Sequence, residues 1–198
     1  MIKLNKNLIL ASQSPRRQEL IKAMGLDFKV AKIEVEENFS ENLALNEVAI
    51  FLAEKKALAY QPLLQKEDLL ITADTVVICE SNVLNKPKNK KEAIEMLSRL
   101  SGKTHEVRTG VCLMDTTHTF KFDEVTHVQF AVLDKAEIDH YIENHPPFDK
   151  AGAYGIQEWI GMIGIQNING CYYNVMGLPV HKIYRLIKTH YIINLQLY

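Results

Sequence analysis

Residues 8–17 read Leu-Ile-Leu-Ala-Ser-Gln-Ser-Pro-Arg-Arg, and the paired cations Arg16 and Arg17 are the first groups in the chain that could do chemistry. Their setting gives them a target. The apolar run Leu8 to Ala11 reads as a buried strand. Ser14 then stands where a helix N-cap belongs, with Pro15 at the first helical position. Leu20, Ile21 and Met24 follow at helical spacing, and Gly25 supplies a stop. A strand that feeds a helix N-terminus leaves backbone N–H groups and the positive end of the helix dipole facing one spot, which favours an anion. Two arginines in that first turn oppose the dipole by a few tenths of a kcal/mol each. A bound polyphosphate would resolve the conflict, because each charge-assisted Arg–phosphate hydrogen bond returns roughly 1.5–3 kcal/mol. The alternative is that both arginines are solvated surface side chains.

Asp74 is the second such group, in Ile71-Thr72-Ala73-Asp74-Thr75-Val76-Val77-Ile78. A carboxylate on an otherwise apolar strand is costly unless paired, hydrogen-bonded or bound to a metal. Held there rigidly it could act as a general base or metal ligand; the alternative is a cap on a neighbouring loop. Lys56, at the end of a helix, and Lys86, stiffened by Pro87, each read singly as surface charge. With Arg16 and Arg17 they make four cations, about what a triphosphate with one divalent ion could use. Glu36 and Glu37 could add a carboxylate for that ion, since Mg²⁺ favours one or two carboxylates plus phosphate oxygens; a solvated acidic loop is the other reading. In Asp149-Lys150-Ala151-Gly152-Ala153-Tyr154-Gly155-Ile156-Gln157 the glycines let backbone approach a ligand, and Gln157 offers a donor and an acceptor to a base edge. A plain Gly-rich turn explains that segment equally well.

Other chemistries find no support. Ser101-Gly102-Lys103-Thr104 imitates a P-loop, but residue 97 is leucine where the first glycine should be, and the segment follows a helix. No G-x-G-x-x-G, H-E-x-x-H or G-x-S-x-G occurs in the 198 residues. The net charge of −1 provides no basic field for a nucleic-acid duplex. No apolar run approaches bilayer length, and the N-terminal residues read as leading into the first strand without the pattern of a signal-peptide h-region or cleavage site. Cys79, Cys112 and Cys171 are odd in number and far apart, which argues against disulfides and zinc and for a reducing cytoplasm.

The elements that must position these groups follow from periodicity. Phe28–Ile33 reads as a strand. Residues 43–59 read as a helix through Leu45, Val48, Ala49, Leu52, Ala53 and Ala57. Leu69–Cys79 suits a strand covered on both faces, and Glu80-Ser81-Asn82 turns into Val83-Leu84. Asn89–Leu100 is an amphipathic helix stopped at Gly102. His105–Leu113 alternates as a half-buried strand, joined at Asp115–His118 to a partner strand Phe120–Val132. Asp134 caps a helix that runs to His145. Asn169-Gly170 predicts a hairpin between Ile163–Ile168 and Cys171–Val175, and Val180–Tyr191 closes as a helix. The expected class is α/β, with a mixed, bent β-sheet and flanking helices forming two lobes around a cleft.

Together the segments resemble the Maf family of nucleoside triphosphate pyrophosphatases. The resemblance rests on Ala11-Ser12-Gln13-Ser14-Pro15-Arg16-Arg17-Gln18-Glu19-Leu20, Ala73-Asp74-Thr75-Val76-Val77, Lys86-Pro87, Met96-Leu97-x-x-Leu100-Ser101-Gly102 and Asn174-Val175-x-Gly177-Leu178-Pro179. Ser101–Val107 and Asp149–Gln157 look like the dTTP/UTP branch. The resemblance implies one Maf-like domain over residues 1–198 with a Maf or ITPase-like fold. It implies hydrolysis of dTTP, UTP and modified pyrimidine nucleotides to monophosphate and pyrophosphate, as nucleotide house-cleaning. By the same resemblance Asp74 is the proton acceptor and Arg16, Thr75 and Gln157 are specificity positions. Ser12, Arg17, Glu37, Lys56 and Lys86 match further active-site positions, and Asp74 with Glu37 would hold Mg²⁺ or Mn²⁺. A cytoplasmic homodimer, without nucleic-acid or membrane partners, is implied too. Two positions depart from the family pattern: Asn85 replaces a glycine before Lys-Pro, and Glu158-Trp159 replaces small residues after Gly-Ile-Gln. The rival readings are a nucleotide-binding regulator of cell division without turnover, and the same chemistry on 7-methyl-GTP or another base.

Overall fold

The computed structural model describes residues 2–40 and 42–195. In chain order the elements are β1 (Ile2–Leu4), β2 (Asn7–Leu10), α1 (Pro15–Ala23), β3 (Lys29–Val30), a 3-10 turn at Leu45–Glu47 and α2 (Val48–Tyr60). A 3-10 turn at Gln61–Leu63, β4 (Asp68–Cys79), β5 (Asn82–Leu84), α3 (Lys90–Leu100), β6 (Thr104–Met114), β7 (Thr119–Phe130) and α4 (Lys135–Asn144) follow. The chain then forms a 3-10 turn at Ala151–Ala153, α5 (Trp159–Gly164), β8 (Ile165–Asn169), α6 (Tyr172–Met176), α7 (Val180–His190) and β9 (Ile192–Leu195). Among the described residues the main sheet runs β3-β2-β4-β6-β7-β8, with β5 beside β4, while β1 pairs with β9. β2 is parallel to β3 and β4; β5 is antiparallel to β4 and β8 to β7. The mixed α/β sheet with flanking helices is therefore as expected.

The chain forms two compact units. One holds the chain up to Asp74, Thr109–Asp123 and the residues from Gly177 onward; the other holds Thr75–Arg108 and Glu124–Met176.

In the first unit Leu8 pairs with Leu69 and Leu10 with Ile71, and β4 is buried without a break from Asp68 to Asp74. The face of α2 that packs inward is the one its spacing predicts: Val48, Ala49, Leu52, Ala53 and Ala57. The strand expected over Phe28–Ile33 shrinks to Lys29–Val30, although Ala31 and Ile33 still pack on the core. β6 departs from the half-buried alternation predicted for it, being buried at every position from Thr109 onward. Gly110 is the reason. A Cβ there would lie 2.3 Å from the Ala49 carbonyl carbon, so the backbone of α2 rests directly on the strand. The turn after β6 is held by Asp115, whose Oδ1 accepts from the Thr117 and His118 N–H groups and the Thr117 hydroxyl, and whose Oδ2 accepts from the Tyr191 hydroxyl. Burial pushes this carboxyl up, but those hydrogen bonds together outweigh it and hold the group well below the usual range. The β1–β9 ladder, with Ile2 opposite Leu195, had no local signal.

The second unit packs Val77 and Cys79 of β4 against Ala93, Leu97 and Leu100 of α3, Ile138, Tyr141 and Ile142 of α4, and Phe130, Tyr154 and Ile160. Helices α3 and α4 start where the sequence places them. Asn89 accepts from the Glu92 N–H at 3.0 Å, and Asp134 and Glu137 form a reciprocal capping box. The hairpin expected at Asn169-Gly170 does not form. Ile163 lies in α5, β8 ends at Asn169, and Tyr172–Met176 is helical. The Thr126 hydroxyl bonds both the N–H and the C=O of Cys171, and the buried Asn174 amide donates to Val107 O and Thr126 Oγ1, each at 3.0 Å. Those tertiary bonds fold the chain after Gly170 into a helical turn and leave β8 to pair with β7.

His105, 2% exposed, sets a pH dependence in this unit. Its Nε2 bonds the Tyr154 hydroxyl at 2.7 Å, its ring stacks on Phe130, and its Nδ1 has no hydrogen-bond partner. Burial pulls its pKa down to about 4. The unfolded chain therefore binds the extra proton first, and stability present above the ordinary histidine value is lost as pH falls toward the folded value. From about pH 7 to about pH 4.5 the unfolding free energy should drop by roughly 2–3 kcal/mol on this account. Asp115, with its lowered value, adds its own loss only below the ordinary aspartate range. Denaturant titrations across that window should show a flatter slope in His105→Gln, and parallel slopes would overturn the assignment.

Candidate active site

Asp74 is 7% exposed on β4. Alternation along the strand puts Thr72 and Asp74 on one face. That face meets α2: the Thr72 hydroxyl donates to Ala53 O at 2.6 Å, and Lys56 Nζ lies 2.6 Å from Asp74 Oδ2. Ala53 and Lys56 are three residues apart, hence neighbours on the helix surface. A strand period of two and a helix period of 3.6 thus bring the acid and the lysine together.

Lys56 is not the surface lysine its sequence position suggested. Its side chain is 14% exposed and also pairs with Glu37 Oε1 at 2.7 Å. The acidic segment that carries Glu37 has no regular structure and is held by Lys55, which donates to Glu36 O at 2.9 Å and Asn38 O at 3.1 Å. Of the two glutamates, Glu37 meets the lysine, whereas the Glu36 carboxylate accepts from the Asn38 amide at 2.9 Å. One ammonium therefore sits between two carboxylates, Asp74 and Glu37.

α1 brings the guanidinium of Arg17 to the same strand. Its Nε donates to Gly177 O at 2.8 Å, and its Nη1 to Ala73 O at 2.9 Å and Ser12 Oγ at 3.4 Å. Burial draws the Arg17 pKa below its ordinary value, while Asp74 pulls it back up and Arg16 works against it. By donating to the Ala73 and Gly177 carbonyls, Arg17 fixes the backbone beside Asp74. Ser14 occupies the N-cap with Pro15 at the first turn, yet its side chain makes no cap; the Ser12 hydroxyl accepts from the Ser14 N–H at 3.3 Å. Arg16 is half-buried in the first turn of α1.

Ser12, Arg17, Glu37, Lys56 and Asp74 are thus joined in one set within the first unit. Thr75 is the next residue of β4, half-buried, and begins the second unit. Lys86 and Gln157 belong to that second unit. Lys86 is exposed. The segment just before it is tied to the Gln157 loop by Gly152 N–H donating to Asn85 O at 3.3 Å. Because that bond uses backbone only, asparagine in place of glycine at 85 leaves it intact. Gln157 is half-buried, and its Oε1 is buried without a hydrogen-bond partner. Two carbonyls, Ala73 O and Gly177 O, join the set although no sequence pattern marks them, since every residue carries one.

This arrangement pairs a rigid carboxylate with two cations, which suits attack by water on a phosphorus centre beside anionic oxygens. Among the described residues no group of three or more His, Cys, Asp or Glu side chains forms a metal cage. No helix among them is long and apolar enough to cross a membrane.

The family described as Maf-like protein matches residues 7–190. The dTTP/UTP pyrophosphatase of Bacteroides fragilis is 49% identical over 182 residues, covering 91% of this chain and 94% of that protein. The dTTP/UTP pyrophosphatase of Flavobacterium psychrophilum is 47% identical over 186 residues, covering 94% and 95%. Among solved structures, the Ham1 protein of Staphylococcus aureus matches with a TM-score of 0.54 at 17% identity, over 93% of this chain and 99% of that one. The last likeness concerns the fold alone.

Proposed function

Since the chain belongs to the Maf family, we propose that it hydrolyses dTTP and UTP, with modified pyrimidine nucleotides, to the monophosphate and pyrophosphate. The observation that carries this reading is Asp74, rigid on its strand and flanked by Lys56 and by the Arg17-bound carbonyl of Ala73. Asp74 takes a proton from the water that attacks the α-phosphorus; the P–O bond to pyrophosphate breaks, and the water oxygen stays on the monophosphate. Arg16, Arg17, Lys56 and Lys86 bind phosphate oxygens and offset charge on the leaving group. Ser12 and Glu37 complete the set around them. Arg16, Thr75 and Gln157 read the substrate. The orphaned Gln157 Oε1 suits the imide N–H that uracil and thymine share and cytosine lacks.

The carboxylates of Asp74 and Glu37 already share one cation, the Lys56 ammonium. That donor set fits Mg²⁺ or Mn²⁺, which needs only one or two carboxylates when substrate phosphates supply other ligands. Bound there, the ion would neutralise phosphate charge. The reading extends to a cytoplasmic homodimer, on the family resemblance and, for the compartment, on three cysteines without a disulfide.

The relatives are named for turnover, which supports hydrolysis over nucleotide sensing without it. The test is pyrophosphate release from a panel of triphosphates at equal concentration. We expect kcat/KM for dTTP and UTP to exceed that for CTP, GTP and 7-methyl-GTP by about tenfold or more. No release from any of them would refute the enzyme reading, and a purine preference would refute the pyrimidine assignment.

A further inference from the structure

The departure at Glu158, beside Gln157, turns out to be wired into the second unit. Glu158 Oε2 accepts from the Tyr141 hydroxyl, and the same Tyr141 oxygen accepts from the Gly155 N–H at 3.0 Å. Glu158 Oε1 lies 3.1 Å from Nζ of Lys150, a lysine 8% exposed that also pairs with Asp149 at 2.9 Å. Tyr141 itself is fully buried on α4. Gln157 is thereby bracketed: Gly155 hangs from Tyr141 on one side, and Glu158 grips Tyr141 and Lys150 on the other.

Packing leaves this bracket little slack. A Cβ on Gly155 would lie 2.7 Å from the Glu158 carboxyl carbon, so glycine makes room for the carboxylate. A Cβ on Gly161 would lie 2.0 Å from Ile156 O, so the first turn of α5 abuts the backbone ahead of Gln157. Small residues after Gln157 could make none of the Glu158 bonds.

We infer that Glu158, through Tyr141 and Lys150, is a positioning residue that holds the Gln157 loop in its ligand-ready form and so determines affinity and selectivity for the pyrimidine base. This rests on the reading of Gln157 given under the proposed function. Glu158 touches no reacting atom; it acts by keeping a buried acceptor aimed without a partner, an arrangement that a loose loop would relax by turning the amide toward water or backbone. The bond lost on truncation is one to a charged acceptor, among the stronger hydrogen bonds in proteins.

The experiment compares the parent protein with Glu158→Ala and Glu158→Gln, by hydrogen exchange without nucleotide and by steady-state kinetics on dTTP, UTP and CTP. In Glu158→Ala the Gly155 amide should lose about tenfold or more in protection, and KM for dTTP and UTP should rise about tenfold, with kcat within about threefold. The UTP-over-CTP preference should shrink with it. Glu158→Gln keeps an acceptor for Tyr141 and should recover most of the protection and KM. A general loss of packing would instead lower the melting temperature without a selective change in KM. Should Glu158→Ala not fold, Tyr141→Phe keeps the ring, removes the shared oxygen and should give the same KM rise. Unchanged Gly155 protection, or unchanged KM in a folded variant, overturns the inference. Absence of dTTP and UTP turnover in the parent would overturn the functional reading instead, and Gly155 exchange would still decide whether the bracket exists.

Discussion

Asp74→Asn should lower turnover of dTTP and UTP by roughly a hundredfold or more, the usual worth of a positioned general base. The substitution keeps the side-chain shape and an oxygen for Lys56 to bond, but removes the proton acceptor. Lys56 retains its pair with Glu37 at 2.7 Å, so the half-buried ammonium is not stranded and the fold should survive. Because Asp74 is assigned to proton transfer in the transition state, kcat should fall far more than KM rises. Pyrophosphate release measured against nucleotide concentration separates the two parameters, with circular dichroism as the check on folding. Parental turnover in a folded Asp74→Asn protein would remove the base from the mechanism.

Gly110→Ala should be far more damaging to the first unit than a methyl added at Gly25. The added carbon would sit 2.3 Å from the backbone of Ala49 and Ile50, and backbone cannot step aside as a side-chain tip can. Helix α2 would have to lift off β6, carrying Lys56 away from Asp74. We expect about 3 kcal/mol or more of lost stability, at the upper end for overpacked cores, together with reduced turnover. Gly25→Ala is the matched control, because nothing lies within 4 Å of its Cβ position. There the cost is confined to a left-handed φ of +74°, about 1–2 kcal/mol. Denaturant unfolding of both variants reads the difference; equal losses would show that the close approach of α2 does not limit stability.

Local signals in the chain were sound wherever the partner lies within a few residues. The apolar run at β4, the face of α2, the Asn89 cap, the Asp134–Glu137 box and the Gly25 stop were all legible, because each is set by spacing or by a bond spanning three or four positions. The misses share the opposite cause. Asn169-Gly170 is a good hairpin turn in isolation, but Thr126, more than forty residues away, claims Cys171 and Asn174. Lys56 reads as solvated until β4 places Asp74 under the end of its helix. The unbroken burial of β6 from Thr109 onward follows from one glycine meeting a helix sixty residues earlier.

What the residues alone determined is the family, the element types and the inventory of groups able to grip phosphate and move a proton, since motifs and periodicity are properties of neighbouring positions. Only the tertiary structure decided that Lys56 lies between Asp74 and Glu37, that Arg17 bonds Ala73, Gly177 and Ser12, and that Glu158 is tied to Tyr141 and Lys150. Those are contacts between positions distant in the chain, and close packing rather than local preference selects them.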